Sequence, residues 1–295
     1  RLNTTGRLAA ALGVNALYNQ TTGLFNVGIG KDGGYGITTG NYNTALGAQS
    51  LMATNTASNN TAVGYAALSN TTANNNTGVG YRALNANTSG NGHVAVGRDA
   101  LKANTTGANN CALGRDALLT NTTGTTNVSV GNFSLKLNTT GDHNTALGAG
   151  SLNENTTGDY NVAVGRLTFR YNTSGTNNTV VGSRAGDTLT TGDNNTIIGS
   201  EADASSATVD NEITLGNNSI ATLRCNVQTI SSLSDARDKT NVIDLPEGLD
   251  FVTKLRPVKF EWATRDGNGK DGLFEHGFIA QDLQAAQKEN DADYL

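Results

Sequence analysis

The feature that most constrains this 295-residue chain is a glycine that returns every 17 residues, always directly after an aliphatic residue. One interval is 16 residues and the others are all 17. The thirteen glycines are Gly13, Gly30, Gly47, Gly64, Gly80, Gly97, Gly114, Gly131, Gly148, Gly165, Gly182, Gly199 and Gly216. A fixed period of this size is typical of stacked arrays, in which each repeat buries its apolar side on its neighbours. The sequence therefore predicts a repeat shaft over residues 1–216.

Each repeat carries the pattern of one short strand and one turn. The residue two before the main glycine is usually Ala, Gly or Ser, and the residue three before it is β-branched in most repeats. Such alternation indicates a strand. A leucine follows, as Leu152 follows Gly148, and then Asn-Thr-Thr-Gly, as at residues 155–158. We interpret the leucine as the centre of a second short strand or a helical turn. We interpret Asn-Thr-Thr-Gly as a tight turn, because Asn and Gly tolerate positive φ.

The core of one such repeat is thin. It offers about two aliphatic side chains plus small ones, and apolar burial contributes only ~25 cal/mol per Å². We therefore expect an all-β shaft of 17-residue β-solenoid or β-roll coils in which three chains wind about one axis. A monomeric solenoid remains the alternative.

Charge and composition change near residue 233. Residues 1–233 carry 12 basic and 12 acidic side chains, whereas residues 234–295 carry 8 and 13, which accounts for the net charge of −5. Both prolines and the only tryptophan also follow residue 233. This shift predicts a domain boundary. We expect an extended β linker at residues 217–233 and a small α+β domain at residues 234–295.

Several classes of function are disfavoured. A neutral shaft without a basic stripe argues against nucleic acid, and no apolar run approaches the ~20 residues of a membrane helix. His93, His143 and His276 are scattered without metal-ligand spacing, so we expect no metal and no cofactor. Cys111 occupies a slot that holds threonine in other repeats, which favours a passive packed thiol. The repeats also lack a recurring pair of carboxylates of the kind that glycan hydrolysis requires.

Three ordered motifs follow the repeats: Ser-Asp-x-Arg-x-Lys from Ser234, Leu-x-Pro-Val-x-Phe-x-Trp from Leu255, and Gly-Phe-Ile-Ala-Gln from Gly277. Together they resemble the intramolecular chaperone of phage tailspikes and tail fibres, the endosialidase-type, self-cleaving, serine-dependent endopeptidase domain. The repeats also resemble the glycine-rich repeats of phage fibres and of trimeric adhesin heads. The chaperone-motif residues are Asp235, Arg237, Gly277, Ala280 and Gln281.

The resemblance implies a domain that trimerises, holds three fibre chains in register and then cuts itself off at the Leu233–Ser234 bond. It assigns Ser234 as the nucleophile and Lys239 as the base, an arrangement that serine–lysine pairs use elsewhere. Arg237 would lower the pKa of Lys239 by its charge. The competing interpretation is that Ser234 and Asp235 only start a helix, since both are good N-cap residues. Modules of this family usually continue into long helices, which we expect to be missing from this sequence.

The resulting prediction is a trimeric phage tail fibre in the virion tail, assembled in the host cytoplasm. Its partners would be itself, other tail proteins and a host cell-surface receptor, either glycan or protein. Candidate receptor contacts are Tyr65, Tyr81, Arg82 and Arg98, just after main glycines, although a merely solvated edge explains them too. The alternatives are a bacterial trimeric surface adhesin and a monomeric ice-binding solenoid. Valine and cysteine interrupt the threonine column that the latter would need.

Overall fold

The computed structural model describes residues 8–224, 255–261, 274–279 and 282. The chain divides into two compact units, Arg1–Leu223 and Arg224–Leu295. The first unit is a parallel β-solenoid built of 17-residue coils, which confirms the predicted shaft architecture. The described part of the second unit contains an antiparallel pair of strands.

Each coil contributes one three-residue strand, and the strand ends directly before the main glycine. All thirteen strands join in chain order into one parallel sheet, with each residue opposite its equivalent in the next coil, as Val162 lies opposite Thr145 and Thr179. The strands are β1 (Ala10–Leu12), β2 (Val27–Ile29), β3 (Thr44–Leu46), β4 (Thr61–Val63), β5 (Thr77–Val79), β6 (Val94–Val96), β7 (Cys111–Leu113), β8 (Val128–Val130), β9 (Thr145–Leu147), β10 (Val162–Val164), β11 (Thr179–Val181), β12 (Thr196–Ile198) and β13 (Ile213–Leu215).

The single 16-residue interval does not disturb the sheet. Thr61 still lies opposite Thr77, and Thr72 donates to the carbonyl of Thr88 at 2.9 Å, as threonines at this coil position do elsewhere. The missing residue corresponds to the second threonine of Asn-Thr-Thr-Gly, which is solvent-exposed in other coils, as at Thr140. The deletion is therefore absorbed at the surface.

The interior of most coils admits one large side chain and two small ones. In the coil around β9, Ala146 and Leu152 are fully buried, whereas Leu147 keeps 38% of its surface exposed. Strand residues alternate between faces, so a small inward residue at the strand centre sends its two neighbours outward. The expectation that two aliphatic side chains per repeat are buried was wrong for the residue before the glycine, which faces outward.

The segment around the core leucine is a turn and not a second strand in the described coils. Leu152 has φ 48° and Gly150 has φ 69°. A non-glycine residue in this left-handed region costs roughly 1–2 kcal/mol. Hydrogen bonds to both neighbouring coils offset that cost: Leu152 donates to the Thr168 carbonyl of the following coil at 3.0 Å, and Gly150 donates to the Asn132 carbonyl of the preceding coil at 2.9 Å.

A first amide ladder runs through the solenoid just before the strands. Its rungs are buried asparagines that each bond the equivalent asparagine of the preceding coil. Asn127, for example, donates to Asn110 Oδ1 from its backbone N–H at 2.9 Å and from Nδ2 at 3.2 Å, and its Nδ2 also donates to the Gly141 carbonyl at 2.8 Å. The members are Asn26, Asn43, Asn60, Asn76, Asn110, Asn127, Asn144, Asn161, Asn178 and Asn195, with His93 in one rung.

A second amide ladder is formed by the asparagine of Asn-Thr-Thr-Gly. Asn121 Nδ2 donates to Asn104 Oδ1 at 2.9 Å and to the Gly124 carbonyl at 3.0 Å, and the same carbonyl accepts from Asn110 of the first ladder at 2.7 Å. The two ladders thus meet on one glycine carbonyl. A Cβ on that glycine's equivalent, Gly141, would lie 2.5 Å from the Gly158 carbonyl oxygen. The motif is therefore fixed by the ladder and by close packing, whereas positive φ at its Asn and Gly was the wrong explanation.

In two coils the large aliphatic residue of the core stands at the ladder position instead of the usual core position. In these coils glycine replaces the core leucine, at Gly34 and Gly186, and an aliphatic residue replaces the ladder asparagine, at Ile37 and Leu189. Ile37 and Leu189 are fully buried. A Cβ on Gly34 would lie 3.1 Å from Ile37 Cδ1, so the side chain of Ile37 occupies the space that the missing leucine leaves. The interior volume is kept while the second ladder is interrupted.

The main glycines are required because the backbones of successive coils meet there. Gly131 has φ 131°, and a Cβ on it would lie 2.6 Å from both the carbonyl carbon and the carbonyl oxygen of Gly148. Backbone atoms of a neighbouring coil cannot move aside without breaking the stack.

We predict that Gly131→Ala lowers the free energy of unfolding by about 3 kcal/mol or more, because it combines an unfavourable φ with a backbone clash. The matched control is Gly150→Ala, also at positive φ, where the new Cβ would meet only the tip of the Leu167 side chain. We expect a loss of about 1–2 kcal/mol there. Chemical denaturation followed by circular dichroism compares the two, and equal losses would contradict the account.

His93 replaces asparagine in the first ladder by imitating its hydrogen bonds. Its Nδ1 accepts from the backbone N–H of Asn110 at 3.2 Å, as an Oδ1 would, and its Nε2 lies 2.7 Å from the Gly107 carbonyl, to which an Nε2–H donates. This arrangement requires the neutral imidazole with its proton on Nε2. Burial lowers the pKa of His93, and the hydrogen bond to the Gly107 carbonyl opposes that effect.

Because the folded pKa of His93 lies below its unfolded value, its contribution to stability is fully present above the unfolded pKa of about 6.5 and is lost as pH falls from there through the folded pKa. We predict that His93→Asn reduces the acid sensitivity of the melting temperature below that pH. His143→Asn, at an exposed histidine, is the control and should melt with the wild-type pH profile. Identical profiles for all three proteins would contradict the assignment.

Candidate functional site on the outer faces of the solenoid

The outward side chains of the parallel sheet form a surface of aliphatic and threonine residues, here called the sheet face. It consists of the strand residues one and three before each main glycine, among them Cys111, which is half-buried and free. Parallel sheets normally have both faces covered, yet this face has no partner within the described chain. Exposed apolar members are Leu12, Leu46, Val94, Leu113, Val128, Leu147, Ile198, Ile213 and Leu215.

The four predicted receptor-contact residues lie together on a second surface, here called the ridge, formed by the residues one and two after each main glycine. Tyr65 and Tyr81 stack with ring centroids 5.5 Å apart, and the Arg82 guanidinium lies 4.7 Å over the Tyr81 ring. Arg82 also pairs with Asp99 at 2.9 Å, and Arg98 pairs with the same carboxylate at 3.3 Å. A hydrogen bond to Asp99 raises the pKa of Arg82.

Two carboxylates, Asp99 and Asp116, are shared by several cations here. Asp99 is also approached by Lys102 at 4.0 Å, while Asp116 is approached by Arg98 at 3.8 Å and by Arg115 at 3.7 Å. Surface ion pairs of this kind contribute little to stability, about 0–1 kcal/mol each. The arrangement therefore fixes the orientation of the side chains more than it stabilises the fold.

Sequence reasoning missed a notch in the ridge. Ala149 and Gly150 occupy the two ridge positions of their coil, and the side chains of the adjacent coils, Phe133 and Leu167, stand on either side of a cavity of about 370 Å³. The signal was present in the sequence, because this is the smallest pair of residues at the two ridge positions in any coil.

Two of the three chaperone motifs pair in the second unit. Strand β14 (Pro257–Glu261) lies antiparallel to β15 (Phe274–Phe278), with Val258 opposite Gly277. Arg256 Nη2 contacts Asp282 Oδ2 at 2.8 Å. A Cβ on Gly277 would be in ordinary contact, 3.5 Å, with the Phe260 ring. The remaining predicted site residues lie outside the described residues: Leu233, Ser234, Asp235, Arg237, Lys239, Ala280 and Gln281.

Two features are absent from the described ranges, 8–224 with the short segments beyond residue 254. Within them, no group of three or more His, Cys, Asp or Glu side chains is arranged to hold a metal ion. No helix there is both long and apolar enough to cross a bilayer.

Comparison with known proteins gives one match. A family model described as the chaperone of endosialidase matches residues 234–291. No curated protein and no solved structure matches the chain. The match covers the region of the three motifs and leaves the solenoid unmatched.

Proposed function

We propose that the chain forms the shaft of a trimeric phage tail fibre whose C-terminal domain directs trimer folding. The observation that carries the proposal is the order of the two regions in the chain. A β-solenoid of 17-residue coils is followed in the sequence by a region that matches the chaperone of endosialidase. Host adhesion would then depend on side chains of the outer faces, where repetition multiplies weak contacts.

The sheet face is the part of the solenoid best suited to join the three chains. Exposed aliphatic residues recur along it at one coil position, with Leu113 47% and Leu147 38% exposed. Contiguous apolar patches above a few hundred Å² usually mark interaction sites. Three such faces around one axis would cover one another and supply the burial that each thin core lacks.

A stack of equivalent coils creates a register problem that the second unit would solve. Coils spaced by 17 residues offer similar sheet faces, so one chain can slip against another by a whole coil with little loss of contact. A C-terminal domain that trimerises first would fix the alignment before the coils stack. This role agrees with a family described as a chaperone.

Self-cleavage belongs to the proposal at the Leu233–Ser234 bond. Neutral Lys239 would accept the hydroxyl proton of Ser234, and the Oγ would attack the Leu233 carbonyl carbon. The acyl group moves from nitrogen to oxygen as the C–N bond breaks and the amine takes a proton. Water then hydrolyses the ester, which frees the Leu233 carboxylate and restores the serine hydroxyl.

We predict that the chain sediments as a trimer, at three times 30.5 kDa when Ser234→Ala keeps it uncut, and that Leu113→Lys with Leu147→Lys shifts it to one chain because charges would be buried in the interface. The control is Leu137→Lys, at an equally exposed leucine outside the sheet face. Analytical ultracentrifugation measures all three. A monomeric wild type, or a trimeric double variant, would contradict the proposed interface.

We predict that the wild-type chain yields two bands on a denaturing gel, split at Leu233–Ser234, and that Ser234→Ala and Lys239→Ala each remain one band. Ser232→Ala is the neighbouring control and should be cut like the wild type. An uncut wild type, or cleavage of Ser234→Ala at the same bond, rejects self-cleavage while leaving the trimer prediction untouched.

A further inference from the structure

The notch beside Gly150 combines an apolar base with unpaired positive charge. Phe133 and Leu167 form half-buried walls, and the buried Gly150 lies at the floor. The cavity of about 370 Å³ lies near the lower end of the range for small-molecule sites, ~300–1,000 Å³. It has room for a ligand of one or two rings.

Three cations surround this cavity without carboxylate partners. Lys136, Arg166 and Arg170 line it, and none of them forms an ion pair with any residue in the described part of the chain. The ridge around Asp99 differs, because its cations share buried aspartates. The difference arises from one coil position: Asp99 and Asp116 stand there in their coils, whereas Gly150 stands there in the notch.

Asp187 is an acidic residue whose charge interacts with that of Arg170, but it does not neutralise the notch. Burial, and secondarily Asp203, raise the pKa of Asp187, which the charges of Arg170 and Arg184 oppose. Asp187 is absent from the residues that line the cavity and makes no ion pair with Arg170. The positive charge of the notch therefore stays available to a ligand.

Two amides at the rim are already oriented by backbone contacts. Asn132 Oδ1 accepts the backbone N–H of Arg115 at 3.1 Å, which leaves its Nδ2 group as a donor. Asn153 Nδ2 donates to the Phe133 carbonyl at 2.8 Å, which leaves its Oδ1 as an acceptor. A ligand with hydroxyl groups can bond to both.

The geometry points to this notch as a binding site for an anionic saccharide, a pyranose that carries a carboxylate or a sulfate. The pyranose ring would lie between Phe133 and Leu167, and its hydroxyls would bond to the amides of Asn132 and Asn153. Its anionic group would bind the guanidiniums of Arg166 and Arg170, whose planar geometry suits bidentate contact. This inference rests on the proposed adhesive role of the shaft and names a ligand class for it.

The chain itself provides the matched variants. Gly150→Asp recreates the arrangement at Asp99 and Asp116, which have φ 57° against 69° for Gly150, and so both fills the notch and places a carboxylate beside its cations. Lys136 and Lys102 occupy the same coil position, but Lys102 already has Asp99 as a partner. Lys102→Ala therefore removes the same charge as Lys136→Ala from a place outside the notch.

The test is isothermal titration of the complete chain with galacturonic acid oligomers, dextran sulfate and neutral glucose oligomers. We expect an anionic saccharide to bind and the neutral one to fail, with the two anionic arms identifying the anion. Arg166→Ala and Arg170→Ala should each weaken binding about tenfold. Gly150→Asp should remove it, and Lys102→Ala should change it less than about twofold.

Absence of binding by both anionic saccharides would overturn the inference, as would an equal loss in Lys102→Ala and Lys136→Ala, which indicates nonspecific charge attraction. Sedimentation of the same samples separates this failure from that of the proposed function. A trimer that binds no anionic saccharide removes only the notch inference.

Discussion

The stacking of buried asparagine side chains is the interaction on which the rest of the solenoid depends. The side chain of each rung satisfies a backbone N–H and a carbonyl of the next coil, as Asn127 does with the Asn144 N–H and the Gly141 carbonyl. Buried polar groups left without partners cost about 1–3 kcal/mol each, so the rungs must stay in register. Since both ladders meet on one glycine carbonyl, the positions of asparagine and glycine within the coil are linked.

The narrow interior produced by this stacking determines which surfaces are left for function. Small residues such as Ala146 occupy the strand centre in most coils, and aliphatic neighbours such as Leu147 turn outward. The aliphatic side chains that the solenoid cannot bury therefore lie on the sheet face, where lateral association of chains would cover them. The outer positions vary in charge and size, and the ridge holds both the paired charges around Asp99 and the unpaired charges around Gly150.

The sequence was sufficient to predict the parallel coils, the strand before each main glycine and the grouping of Tyr65, Tyr81, Arg82 and Arg98 on one surface, because these follow directly from the period. It was not sufficient for the direction of side chains. A valine or leucine before a glycine is equally compatible with core and surface, and only the width of the coil decides. The sequence predicted that Asn-Thr-Thr-Gly forms a tight turn. The ladder bonds that explain this motif join residues 14 and 17 positions apart, so a local sequence pattern does not reveal them. The predicted dyad of Ser234 and Lys239 stays a prediction.

Hydrogen exchange of asparagine side-chain amides, measured by nuclear magnetic resonance, tests the central claim most directly. The account predicts that the Nδ2 protons of ladder residues such as Asn127 and Asn144, which are fully buried, exchange far more slowly than those of an exposed asparagine such as Asn177. Side-chain amides have almost no intrinsic protection, so slow exchange requires the buried, bonded rung. Equal, solvent-like exchange at Asn127, Asn144 and Asn177 would contradict the ladder and the stacked coils it holds together.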